Sequence, residues 1–249
     1  MPAPHLRLAD DTDRPWAGPR RPAWAGWSVT TWLIATNIAV FIVQAIFRPR
    51  VDEFGAFTIA GAIGHVQLWR FISYQFLHDT SDPMHLIFNM LALFFFGPIV
   101  EARLKKARFL IYYLLCGIGG AVVFWVLCRM NILNVSAKSQ LIGASGSVLG
   151  LAAGVAKLMP NQTIRLLFPP VALRMVTIVW GYFLIAVYIT LTAGPNAGGE
   201  AAHLGGLIVG FVLIRNLNWL RLNTGMRAAG GKKFWKPGDA PEKFFRQDP

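Results

Sequence analysis

The chain has 249 residues, 55% of them hydrophobic and only 14% charged. Soluble domains carry about a quarter charged residues, so a soluble globular domain is excluded. The net charge of +12 invites a nucleic-acid role, but the basic residues flank apolar blocks, where they report membrane topology instead.

Residues 1–26 are polar, mixing Pro, Asp and Arg, with Trp16, Trp24 and Trp27 approaching the first apolar block. We expect a cytoplasmic arm ending in an interfacial aromatic belt. It does not resemble a cleavable signal, because acidic residues and prolines fill the place of a basic leader region.

A span of the hydrocarbon core needs about 20 mostly apolar residues. The first such block is Trp27–Phe47. Residues 48–82 form a long loop with Phe54, Phe57, Ile63, Leu68, Trp69 and Phe71 among Gly and charged residues. It suits either the membrane interface or the surface of the bundle. The next spans are expected at Pro83–Val100, Ala107–Leu127, Leu141–Leu158 and Val171–Thr192. A Gly- and Pro-rich loop, 193–199, precedes a sixth span at Glu200–Leu220. A basic, aromatic tail fills 221–249, with Phe234-Trp235-Lys236 and Lys243-Phe244-Phe245-Arg246. It suits contact with an anionic leaflet or a solvated tail equally. The expected fold is an all-α membrane protein, a bundle of six transmembrane helices over 27–220.

Six spans put both termini on one side. Of the 24 Lys and Arg, nineteen fall on that side: four in the arm, four in 101–108, three in 157–174 and eight from Arg215 onward. Five fall opposite. The positive-inside rule then places both termini in the cytoplasm. The topology sets Ser145 at the outer end of the fourth span and His203 at the outer end of the sixth.

Strongly polar side chains within spans are candidates for function. Four share the outer layer: His85 and Asn89 on the second span, Ser145 on the fourth and His203 on the sixth. A serine hydroxyl attacks an amide only when a base accepts its proton, and an imidazole can do so. His85 and Asn89, four residues apart, share a helix face and can donate to an oxyanion. The Ser145 backbone N–H, at a helix N-terminus, is a further donor. Gly146, Gly150 and Gly154 on the fourth span, and Gly206 and Gly210 on the sixth, form small-residue stripes that let membrane helices approach closely. Taken singly, each signal has an ordinary explanation: a membrane serine usually bonds its own backbone.

The remaining candidates read as structural. Ser147 points about 200° away from Ser145 on a regular helix. Glu200, three residues before His203, reads as a first-turn carboxylate favoured by the helix dipole rather than as a triad acid. His78 reads as a loop histidine. Cys116 and Cys128 lie too far apart along one block to form a disulfide. No cofactor is expected, and no Cys/His grouping has metal-ligand spacing. No Asp, Glu, Lys or Arg lies mid-span, which argues against a transporter or channel.

Across residues 30 to 215 the chain resembles the rhomboid intramembrane serine proteases. The likeness is carried by Leu68-Trp69-Arg70-Phe71, His85-Leu86-Ile87-Phe88-Asn89-Met90, Gly97-Pro98 with Glu101, Gly143-Ala144-Ser145-Gly146, and Ala202-His203 followed by Gly206 and Gly210. The resemblance implies a Ser145 nucleophile and a His203 base in a dyad without an acid. It implies an oxyanion hole of His85, Asn89 and the Ser145 N–H. Trp69 and Arg70 would anchor the first loop, and Glu101 would bond loop backbone near the cytoplasmic end. Loop 193–199 would be a mobile cap and the fifth span a lateral gate. The substrates would be transmembrane segments of other proteins within the lipid bilayer, with no nucleic-acid partner. An inactive relative that binds membrane clients is the alternative; the presence of both Ser145 and His203 argues against it. One departure stands out: many relatives carry Tyr or Phe one turn after the serine, packed on the imidazole, and here that residue is Leu149. The six-span form without an acid-poor leader favours a bacterial inner membrane.

Overall fold

The structure, a computed structural model, describes residues 26–165 and 170–216. The expected arm up to residue 25, the last residues of the sixth span and the tail at 221–249 lie outside the described residues.

Eight α-helices carry the described chain: α1 Val29–Phe47, α2 Arg50–Gly55, α3 Arg70–Ser73, α4 Pro83–Leu104, α5 Lys106–Arg129, α6 Ser145–Leu158, α7 Met175–Leu191 and α8 Ala197–Arg215. Four of them, α1, α4, α5 and α8, are long and apolar enough to cross a membrane; α6 and α7 are apolar but shorter. The helix starts follow local chemistry. Ser28 caps α1, its Oγ accepting from the Thr31 N–H at 3.0 Å. Asp82 caps α4 by accepting from the Met84 N–H at 3.1 Å, and Pro83 occupies the first turn, where no N–H is missed.

Two expected span starts are corrected. Leu141–Ala144 is not helical: Leu141 exchanges both backbone hydrogen bonds with Phe57, at 2.8 and 3.0 Å, and Gly143 turns the chain at a φ of 126°. The apolar run is continuous, but this backbone is already paired with the first loop. Likewise Val171–Arg174 does not belong to the fifth span. Ala172–Arg174 (β2) pairs antiparallel with Thr163–Arg165 (β1) in a short hairpin before α7. Helix α4 runs on through Pro98 to Leu104, and α8 begins at Ala197, three residues before the expected start.

The long first loop packs on the bundle. A π-helical turn at Ala60–Gly64 and a 3-10 turn at Tyr74–Phe76 fold it back. Phe57 and Tyr74 sink into a cluster with Phe124, Leu141 and Ala202. Gln44 ties α1 to the end of this loop. Its amide donates to Asp52 Oδ1 and to the His78 carbonyl, and its Oε1 accepts from the His78 N–H.

The centre of the bundle is where α8 meets α5 and α6. A Cβ on Gly206 would collide with the Gly146 carbonyl, and one on Gly210 would stand 2.5 Å from the Gly150 carbonyl. On the other side of α8, a Cβ on Gly205 would collide with the Gly119 carbonyl, and one on Gly120 would lie 2.7 Å from the Ala202 carbonyl. Backbones this close exclude every residue but glycine at the contact. The Tyr112 hydroxyl bridges the seam, its one proton shared between the Gly150 and Gly210 carbonyls at 2.7 and 2.9 Å.

Candidate active site

Ser145 is the first residue of α6. The first hydrogen bond of that helix ladder runs from the Val148 N–H to the Ala144 carbonyl. The amides of Ser145 to Ser147 therefore precede the ladder, at the positive end of the helix dipole. In the second turn of α8, His203 aims Nε2 at Ser145 Oγ across 2.7 Å. The two side chains are 58 positions apart in sequence. They meet because the glycine seam just below brings α6 and α8 together.

His85 stands on the other side of Ser145, in the first turn of α4. Its Nδ1 accepts from the Asp79 N–H at 3.3 Å, which leaves the ring proton on Nε2. That nitrogen borders Gly143. A Cβ there would lie 2.9 Å from His85 Nε2 and 3.5 Å from Ser145 Oγ, and the φ of 126° independently demands glycine. Gly143 thus keeps open the space between a nitrogen that donates and the serine oxygen. Asn89 is buried one turn down α4; one of its two amide protons goes to the His85 carbonyl at 2.7 Å, leaving the second to donate elsewhere. Behind His85 lies the ring of His78, with centroids 5.1 Å apart. Burial, reinforced by neighbouring His85, pushes the His78 pKa down to about 4, so it is neutral at pH 7.

Ser145, His203, His85 and Gly143 line a cavity of about 700 Å³, with the 193–199 loop on its wall. A second cavity of about 400 Å³ reaches Ser145 between α4, α6 and α7, along Phe88, Asn89, Leu149 and Tyr182. The serine is therefore reachable from two directions.

The Rhomboid domain family model matches residues 65–218. The chain belongs to the rhomboid family. Among curated rhomboid proteins it is similar to the Rhomboid protease AarA of Providencia stuartii, 30% identical over 201 residues, covering 75% of this chain and 71% of that one. It is also 30% identical over 189 residues to the Putative rhomboid protease YdcA of Bacillus subtilis (strain 168), covering 74% and 86%. It is 31% identical over 183 residues to the RHOMBOID-like protein 4 of Arabidopsis thaliana, covering 71% of this chain but only 39% of the plant protein. Family and apolar helices together make this a multi-pass integral membrane protein.

The other rhomboid motif residues lie at joints of the fold. The Arg70 guanidinium donates to the carbonyls of Ala56 and Glu53 at 2.5 and 2.6 Å and to Gln67 at 2.6 Å. Trp69 Nε1 donates to the Phe54 carbonyl at 3.2 Å, and its ring stacks on Phe54. Glu101 accepts from the N–H groups of Val29 and Thr30 at 2.8 and 2.9 Å and from the Thr30 hydroxyl, so it caps α1. Ser147 faces away from Ser145 and donates to Gln75 Oε1 at 2.9 Å. Both cysteines are free thiols. Among the described residues no group of His, Cys, Asp and Glu has the grouping of a metal site.

Glu200 lies in the first turn of α8, as its sequence position suggests, but its carboxylate also reaches the site. Glu200 Oε2 is 3.3 Å from His203 Nδ1 and accepts from the Tyr182 hydroxyl at 2.7 Å. Tyr182 was not singled out by the motifs. Its only sequence signal is a hydroxyl within the apolar run that forms α7.

Proposed function

We propose that this protein is an intramembrane serine endopeptidase that cleaves transmembrane segments of other membrane proteins with a Ser145–His203 dyad. The observation that carries the reading is the 2.7 Å approach of His203 Nε2 to Ser145 Oγ at the wall of an open cavity. Ser145 Oγ attacks the scissile carbonyl carbon while Nε2 takes its proton. The carbonyl oxygen becomes an oxyanion, stabilised by the Ser145 N–H, His85 Nε2–H and the spare Asn89 amide proton. The imidazolium then protonates the leaving amine, and the C–N bond breaks to give an acyl-enzyme. Water entering from the 700 Å³ cavity hydrolyses the ester, with His203 now acting as base and Ser145 regaining its proton.

In this reading α6 and α7 complete a six-span core over 27–220, flanked by the arm 1–26 and the basic tail 221–249, with both termini cytoplasmic. Helix α7 is the lateral gate and 193–199 the cap, while Trp69, Arg70, Glu101 and the glycines at 143, 146, 150, 206 and 210 hold the frame. The membrane is the inner membrane of a bacterium. The test is cleavage of a panel of reporter transmembrane substrates by the full-length protein and by Ser145→Ala. We expect the variant to fold normally and to lose all detectable cleavage. Cleavage retained by Ser145→Ala would sink the assignment.

A further inference from the structure

The His203 imidazole has two nitrogens, and only Nε2 faces Ser145. For Nε2 to receive the serine proton it must be bare, so the ring proton belongs on Nδ1. That nitrogen meets two groups from different helices: Tyr182 Oη at 2.5 Å, on α7, and Glu200 Oε2 at 3.3 Å, one turn earlier on α8. Tyr182 donates its own proton to the same Glu200 oxygen at 2.7 Å. The donors therefore run in one direction. The Ser145 hydroxyl donates to Nε2, Nδ1–H donates to the Tyr182 oxygen, and the Tyr182 hydroxyl donates to the carboxylate. A carboxylate only accepts, so it fixes that direction from the far end. With the opposite tautomer Nε2 would carry a proton and have no room for the one from Ser145. The His203 and Glu200 side chains are 16% and 14% exposed, which limits competition from water for these bonds.

We propose that Tyr182 and Glu200 are positioning residues for His203. They hold the ring as the Nδ1–H tautomer with Nε2 toward Ser145, and the carboxylate stabilises the imidazolium that forms during attack. This rests on the dyad reading above and goes beyond it, since a bare dyad has no acid. A dipole-complementing role for Glu200 needs only its place in the first turn of α8; it does not require the bond shared with Tyr182 or the contact with His203. The same pair answers the departure at Leu149. Where an aromatic ring is missing one turn below Ser145, Tyr182 supplies one from α7, its centroid 6.0 Å from that of His203.

The experiment uses the full chain in detergent and in liposomes, with Tyr182→Phe, Glu200→Gln and the double variant, each nearly isosteric. Cleavage of a transmembrane reporter is followed at varied substrate. Each single variant is expected to lower kcat by about tenfold or more with KM within about twofold, because the loss lies in the transition state. The double variant should fall little below the worse single, as for residues acting as one unit. Histidine ¹⁵N spectra provide a readout independent of turnover, with His203→Ala assigning the signal. Wild type should show Nδ1 protonated, and each variant should shift toward Nε2. Wild-type kcat in both single variants, or an unchanged tautomer, overturns the assignment; so does a fall in kcat matched by a fall in thermal midpoint. Ser145→Ala run alongside keeps the two ideas apart. Residual cleavage there defeats the protease reading, while the tautomer still judges Tyr182 and Glu200.

Discussion

Helices α6 and α7 are neighbours built to opposite rules. Ten of the fourteen residues of α6 are buried, and three of its sites, Gly146, Gly150 and Gly154, are glycines facing other backbones or side chains within the bundle. Helix α7 buries three of seventeen, Met175, Ala186 and Thr190, and leaves Trp180, Leu184, Ile185, Tyr188 and Leu191 exposed. In a bilayer those exposed side chains meet lipid, which is as apolar as they are, so little free energy holds that face in any one place. The lesson is a division of labour. The serine sits on the helix that cannot move without breaking backbone contacts. The helix beside it is held mainly along one edge, by groups such as Tyr182 and Ala186. The proposed protease, which has to admit another helix, would need both properties side by side.

The comparison can be broken most severely at the seam. Gly206→Val puts a branched side chain into the Gly146 carbonyl, and neither backbone has room to retreat. Overpacking alone costs about 1–3 kcal/mol where side chains can adjust. Here they cannot, and we expect loss of the folded bundle, seen as a missing cooperative thermal transition in detergent. A wild-type transition in Gly206→Val would mean that α6 and α8 are not in backbone contact.

A smaller effect should appear where the first loop joins the rigid side. His78 is fully buried, and its pKa of about 4 lies below the ordinary 6.5. The unfolded chain therefore takes up this proton first as pH falls. Stability is complete above pH 6.5 and is lost progressively toward pH 4. Between pH 7 and pH 5 the loss from this one group is about 2 kcal/mol. Thermal midpoints across that range should fall in wild type and fall markedly less in His78→Asn. Equal slopes would show that His78 is not buried in its neutral form.

The smallest effect belongs to α7. Leu184→Ala removes an exposed apolar side chain, and we expect a stability change within about 0.5 kcal/mol. Cleavage of a reporter should be at least as fast as in wild type, because nothing that holds Ser145 is disturbed. A large loss of stability would show that this face packs on protein.

The difference between these helices was only half legible in the sequence. Hydropathy located the apolar blocks, because a lipid-facing or buried helix needs an unbroken run. The motif residues could be assembled because Ser145, His203, His85 and Asn89 are polar exceptions in such runs. What hydropathy cannot see is backbone pairing. Leu141–Ala144 is apolar enough for a helix, yet its hydrogen bonds go to Phe57, and Gly143 adopts a φ that ends any helix there. The hairpin before α7 is three residues on each side and leaves no period to detect. Tyr182 was hidden for a different reason. A tyrosine in an apolar span is ordinary, and its meaning comes from Glu200 and His203, on a different helix.

The seam of glycines also bears on how far such a chain can change. Contacts made by carbonyl oxygens against α-carbons carry no side-chain signature beyond the absence of one. A handful of positions therefore stores most of the instruction for where the serine and the histidine meet. The outward faces of α1, α4 and α7 store almost none, since hydrocarbon accepts Leu, Ile, Val or Phe with little preference. A chain built this way can exchange most of its letters on those outward faces without moving the two helices apart, provided the few glycines of the seam stay.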